Sequence, residues 1–167
     1  MRFEIIDAFA KWLGATRASA MVLASPVVWP ACETLHFIGL ALLIGTVFAL
    51  DLRMLGVFKG LSIGGLHRLS RWGIVGFSIC FLTGLVFFVG APSQYVHNPI
   101  FYLKLLAIVL AGVNALVFEF KILPEMTDLG PESVAPYSAK LTAAVSIVLW
   151  ICVMFFGRML PFLGEAF

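Results

Sequence analysis

Charged residues are scarce in this chain. Lys, Arg, Asp and Glu make up 12% of its 167 residues, against 62% hydrophobic residues and a mean hydropathy of +1.06. A soluble domain carries about 25% charged and 45–50% apolar residues, so the shortage excludes a water-soluble globule and points to an integral membrane protein. A net charge of +2 without any basic run excludes nucleic acid as a partner. Cysteine is equally sparse. Cys32, Cys80 and Cys152 cannot all pair within one chain, and the last two fall in apolar runs where a reduced thiol acts as a small apolar residue, so no disulfide framework is expected. A phosphate-binding glycine loop, a Gly-x-Ser-x-Gly elbow and a His-Glu-x-x-His motif are all missing, which leaves nucleotide hydrolysis, serine hydrolysis and zinc-peptidase chemistry without support. Internal repeats and low-complexity segments are absent as well.

What is present is organised around Cys32 to Leu55. From Leu35 to Leu50 this run is apolar except for His36 and Thr46, contains no proline, and keeps Glu33, Asp51 and Arg53 near its ends. It reads as a membrane-spanning helix with a histidine inside it, and an ionisable side chain at that depth is costly enough to face protein, water or a cofactor rather than lipid. Three similar runs follow. With roughly 20 residues needed per crossing, the chain holds spans at about 33–55, 70–91, 99–121 and 138–160, an all-α transmembrane four-helix bundle over residues 31–167.

Residues 1–30 read as a separate segment. Ile5, Ile6, Phe9, Trp12 and Leu13 recur at helical spacing with Glu4, Asp7 and Lys11 elsewhere on the wheel, the pattern of an amphipathic helix lying flat at the membrane interface or against a partner subunit. Early acids and the interruptions at Pro26 and Pro30 do not fit a cleaved signal peptide. Gly64 and Gly65 loosen the first connection, Ala91-Pro92-Ser93 breaks the second span, and Asn98-Pro99 restarts the third as an N-cap followed by proline at the first helical position. The third connection, Leu123 to Tyr137, holds Pro124, Gly130, Pro131, Pro136 and three acids, and is the only polar loop of any length.

Basic residues set the orientation. Arg53, Lys59, Arg68 and Arg71 flank the first connection and Lys121 and Lys140 the third, whereas the second has none. The positive-inside rule puts the first and third connections in the cytoplasm and both termini in the periplasm. Glu33, His36, His97, Lys104 and Arg158 then fall at the outer end, and Asp51, Arg53, His67, Arg68, Arg71, Glu119 and Lys121 at the inner end. His36 and His67 are separated by a span, about 25 to 30 Å at 1.5 Å per residue. They cannot ligate one ion, but His36 and His97 can.

Two imidazoles from separate segments at one level suit the axial positions of a haem iron. Gly39 and Gly84 would leave room for the ring, and Lys104 or Arg158 would meet a propionate. A competing set is Cys32, Glu33 and His36, where Cys32 and His36 share a helix face at i and i+4, and thiolate, carboxylate and imidazole together bind copper or zinc. The plain readings stand beside these. His97 in Tyr95-Val96-His97-Asn98-Pro99 can be an interfacial anchor, His36 can be bonded to a neighbouring helix, and His67 among Arg68 and Arg71 can be a solvated, snorkelling face. Gly73 with Gly76, and Ala111 with Gly112 and Ala115, offer small-residue surfaces for copies or partners, the feature of a cofactor-free structural or assembly subunit.

Glu33-Thr34-Leu35-His36, Gly39, Gly45, Asp51-Leu52-Arg53-Met54-Leu55-Gly56, and Asn98-Pro99 opening a span with Lys104 and Asn114 give a resemblance. Over most of the chain after residue 25 it resembles a group of small four-helix bacterial inner-membrane proteins of unknown function. More distantly it is similar to the copper-resistance D membrane family and to cytochrome b561-like bundles. The first resemblance implies fold and bacterial origin, and the distant ones imply haem or copper. The chain lacks the fuller histidine set of a two-haem cytochrome. The expectation is therefore a single haem b on His36 and His97, carrying electrons near the periplasmic face as a redox protein or subunit rather than a stand-alone enzyme. Its expected partners are the lipid bilayer, a redox partner or quinone, and copies of itself or a larger membrane complex.

Overall fold

The structure, a computed structural model, describes residues 2–58, 60–126 and 133–163. Lys59 in the first connection, and Asp128, Gly130, Pro131 and Glu132 in the third, lie outside the described residues. All regular elements among the described residues are helical: α1 (Arg2–Gly14), α2 (Arg17–Ala24), α3 (Val28–Met54), α4 (Ile63–Gly90), α5 (Pro92–Val96), α6 (Pro99–Val117), a π turn (Phe118–Ile122), α7 (Leu123–Met126) and α8 (Tyr137–Met159). Four helical stretches, Val28–Met54, Ile63–Gly90, Pro99–Met126 and Tyr137–Met159, are long and apolar enough to cross a membrane, with mean hydropathies of 2.1 to 2.2. Their large outward side chains, among them Phe37, Ile74, Phe81, Val109, Leu116 and Val148, are exposed as a lipid-facing surface requires.

Local chemistry moves several boundaries from where periodicity alone put them. α3 begins at Val28 rather than after Pro30, because the first-turn N–H groups of a helix have no intrahelical acceptor and a proline there sacrifices no bond. α4 begins at Ile63, so Gly64 and Gly65 are helical rather than a loose connection: Ser62 caps the helix, its Oγ accepting from the Gly65 N–H at 3.1 Å. The amino-terminal segment is two helices instead of one, since Thr16 ends the first turn of the break and caps α2 through the Ser19 N–H at 3.3 Å. The third span runs on to Met126 despite Pro124. Proline cannot donate to the carbonyl four residues back, and the helix widens just ahead of it into the π turn, where the Leu123 N–H bonds the Phe118 carbonyl.

Packing is closest between α3 and α4. A Cβ on Gly76 would lie 2.5 Å from the Gly39 carbonyl oxygen and 2.6 Å from the Leu43 nitrogen, and one on Gly39 would lie 2.9 Å from the Gly76 carbonyl oxygen. Only paired glycines permit that approach. α6 packs along α8 and α8 against α3. Two apolar clusters fill the interior, Leu43, Ala107, Ala111, Trp150 and Val153 in the middle and Leu50, Met54, Ile63, Phe118, Ile122, Met126, Ala139 and Ala143 towards the Asp51 end.

The ends of the bundle are tied by polar side chains. At the Asp51 end the buried Arg53 donates from Nε to the Leu61 carbonyl at 2.7 Å and from Nη2 to the Ser133 carbonyl at 3.4 Å, joining the first connection to the chain just before α8. At the His36 end Asn98 caps α6, accepting from the Ile100 N–H at 3.0 Å, while its amide donates to the Leu160 carbonyl at 2.9 Å. α1 lies against α5, its buried Ala10 facing inward and Gly14 against Pro92.

Candidate functional site

His36 sits two turns into α3, on the side that α4 covers. Its Nδ1 is 2.7 Å from Thr83 Oγ1, and the Thr83 hydroxyl is itself 2.7 Å from the Ile79 carbonyl oxygen one turn back. A carbonyl can only accept, so the hydroxyl proton goes to Ile79 and the imidazole donates from Nδ1 to Thr83. That arrangement leaves Nε2 with a lone pair. The Phe87 ring lies 5.7 Å from the imidazole and the Trp29 ring 5.1 Å from Phe87, while the Cys80 thiol donates to the His36 carbonyl at 3.5 Å.

Lys104 of α6 reaches the same level. Its ammonium is close enough to act electrostatically on both His36 and Cys80, and its Nζ and Cε lie 3.5 and 3.6 Å from where a Cβ on Gly157 would stand. Gly157 thus gives the lysine stem its place against α8. Four helices converge on this level, carrying His36, Thr83 with Cys80, Lys104 and Gly157.

The other residues expected at a cofactor are disposed differently. Both ring nitrogens of the exposed His97 are engaged, Nδ1 at 2.9 Å from the Ser93 carbonyl oxygen and Nε2 at 2.6 Å from Asp7 Oδ1. These two contacts tie α1 to α5. The space left by Gly39 is filled by the backbone of α4, whereas nothing lies within 4 Å of a Cβ on Gly84. Arg158 is exposed with its guanidinium 5.1 Å over the Phe162 ring. Glu33 Oε1 accepts from the Trp29 indole at 3.1 Å, and Cys32 is a half-buried free thiol. The phenol of Tyr95, in α5 between the spans, is pushed up by burial and then by the Glu33 carboxylate. Among the described residues, no three His, Cys, Asp or Glu side chains gather as a metal site would need.

A family of unknown function, DUF6644, matches residues 11–163, which take in His36, Thr83, Lys104 and Gly157 but not Asp7. The chain belongs to the DUF6644 family. No curated protein and no solved structure matches it, so the distant likeness to copper-resistance D and cytochrome b561-like bundles has no counterpart among the matches.

This DUF6644 protein has a second polar layer at the opposite end. Asp51 is buried, with 4% of its surface exposed, and accepts from the Ser146 hydroxyl of α8. Its Oδ2 has no hydrogen-bond partner. One turn along α8 the Thr142 carbonyl accepts from the Asn114 amide at 3.2 Å. His67 Nε2 stands 3.7 Å from Glu119 Oε1 on the π turn, and its Nδ1 is a buried atom without a partner.

Sequence reasoning picked out His36 and Lys104, placed Asp51 only as a charge at a span end, and missed Thr83, Ser146 and Gly157. Each is a small or hydroxylated residue in an apolar helix, and the signal was there: Thr83 is one of two hydroxyls, with Ser78, in the half of α4 nearer Gly90, and Ser146 lies one turn from Thr142 on α8.

Proposed function

We propose that the protein is a b-type haem carrier that passes electrons close to the periplasmic face of a bacterial inner membrane, with His36 as the residue of the bundle that would hold the haem. The observation that carries this reading is the Thr83 bond. A metal-ligating histidine donates its other ring N–H to a fixed acceptor, which sets the tautomer and the ring orientation, and His36 Nδ1 has such an acceptor at 2.7 Å. Lys104 supports it, since an ammonium beside the imidazole suits a propionate. The fit does not extend to His97. Its ring would have to give up Asp7 and Ser93 before either nitrogen could bind iron.

A bound haem would supply one-electron transfer. The chain's own residues would then orient the ligand through Thr83, place a cation at its anionic edge through Lys104, and shield the imidazole face with Phe87. Copper or zinc on Cys32, Glu33 and His36 is less well supported, because the Glu33 carboxylate is turned to Trp29. The small residues that would serve a purely structural subunit are partly used inside the chain, with Gly73 against Thr46 and Gly76 against Gly39.

The test is an absorption spectrum of detergent-purified protein from haem-replete cells, oxidised and dithionite-reduced, with metal analysis on the same sample. A Soret band lost in His36→Ala and kept in His97→Ala is the expected result. A wild-type spectrum without a Soret band, or a band unchanged in His36→Ala, overturns the reading. Stoichiometric copper or zinc without porphyrin moves the site to Cys32, Glu33 and His36.

A further inference from the structure

The Asp51 end presents a carboxyl group that neither the haem reading nor the packing of the bundle uses. Asp51 is 4% exposed, one of its oxygens receives the Ser146 hydroxyl, and the other has no partner. Arg53, two positions along α3, is turned to the Leu61 and Ser133 carbonyls. From α4, His67 is directed to Glu119 of the π turn. Lys121 is exposed on the same turn, and Lys140 is half-buried nearer the start of α8. An ionised carboxylate taken this far out of water without a counter-charge costs several kcal/mol, whereas the neutral acid with one hydrogen bond is tolerated.

Hydroxyl side chains lie along α8 between this carboxyl and the surface. Ser146, Thr142 and Ser138 follow one another at four-residue intervals on one face of α8. Thr142 Oγ1 donates to the Ser138 carbonyl at 2.9 Å, and Ser138 is exposed. Hydroxyls one turn apart are separated by about 6 Å, a gap that one bridging water spans. In the other direction the apolar cluster of Leu43, Ala107, Ala111, Trp150 and Val153 intervenes, with no hydroxyl among its members.

We infer that Asp51 is a proton-binding site, loaded and emptied from the cytoplasmic surface along the Ser146–Thr142–Ser138 face of α8. The exchange is a simple one: the carboxylate takes a proton delivered by water at the Ser138 end to become the acid, and returns it by the same route. A proton, rather than a metal cation, is the ligand that these groups suit, because Asp51 and Ser146 offer too few oxygens to replace the hydration shell of a metal ion. The site requires no cofactor and stands whether or not haem is bound at His36.

The experiment is an infrared pH titration of the full chain reconstituted in lipid, run in choline chloride and again in sodium chloride. The expected result, read as the wild-type minus Asp51→Asn difference so that the other acids cancel, is a protonated-carboxyl C=O band that grows as pH falls and has the same midpoint in both salts. In Ser146→Ala the midpoint moves, since the carboxyl loses the hydroxyl beside it. Thermal unfolding of Asp51→Asn close to wild type shows that the missing band is not a folding defect, and the Ser146→Ala shift reads the same site in a chain that retains its carboxyl. No such difference band at any pH, or a midpoint lowered by sodium, overturns the inference.

Discussion

His36 donates through one ring nitrogen to Thr83, and His97 has both ring nitrogens engaged, with Ser93 and Asp7. Only the first keeps a nitrogen outside these bonds, although a sequence shows only two histidines near the same membrane face. Thr83 decides the difference, and its substitution should be felt without any cofactor. In Thr83→Val the volume is kept but His36 Nδ1 loses its acceptor in a largely buried setting, a change of about 1 to 3 kcal/mol. Thermal unfolding in detergent should fall accordingly, and Thr83→Ser, which restores the hydroxyl, should recover most of it. Equal stability of Thr83→Val and wild type would mean that the imidazole has another acceptor. The depth of His36 was legible in the sequence because the run around it is apolar. Its partner was not, since a hydroxyl on another helix matters only once the register between the helices is known.

That register is set by glycines. Gly39 and Gly76 bring the α3 and α4 backbones together, with Thr46 against Gly73 a turn or two further along. Read from the sequence, Gly39 makes room for a ring and Gly76 offers a face to another subunit. Both assignments treated a helix as if its neighbours were unknown, which from sequence they were. Gly84, by contrast, has open space around it. The two kinds of glycine should respond oppositely to alanine. Gly76→Ala forces a methyl group onto the backbone of α3 and should destabilise by about 1 to 3 kcal/mol, whereas Gly84→Ala adds a better helix former without a clash and should be neutral or stabilising by up to about 1 kcal/mol. Chemical denaturation of the two variants side by side measures the contrast. The four apolar runs themselves were plain from composition. The helix starts were misplaced because Pro30 and Gly64-Gly65 looked like breaks, and a cap at Ser62 or a proline in a first turn is a local hydrogen-bonding matter that hydropathy does not register.

Across the whole molecule, the polar residues form two layers separated by an apolar middle, and the sorting of His36 and Lys104 from Asp51 and Glu119 follows from span length alone. The ties between layers and loops do not. Arg53 reads from sequence as an ordinary basic residue at a cytoplasmic span end, yet it is 2% exposed and bonded to carbonyls on either side of two helices. Arg53→Ala leaves those carbonyls without their donor, at a cost of about 2 to 4 kcal/mol. Hydrogen exchange should then rise together around Leu61 and Ser133, and a rise at only one of the two would separate the connections that the guanidinium joins.

The bond from Arg53 to Ser133 crosses 80 positions of chain. During synthesis the first span is therefore in place long before the partner of its own terminal arginine has been made. Until the segment ahead of the last span emerges, that guanidinium lacks one of its acceptors and has water or lipid headgroups to turn to. Its burial can be completed only when the final helix arrives, which makes Arg53 a built-in mark of whether assembly of the bundle is finished.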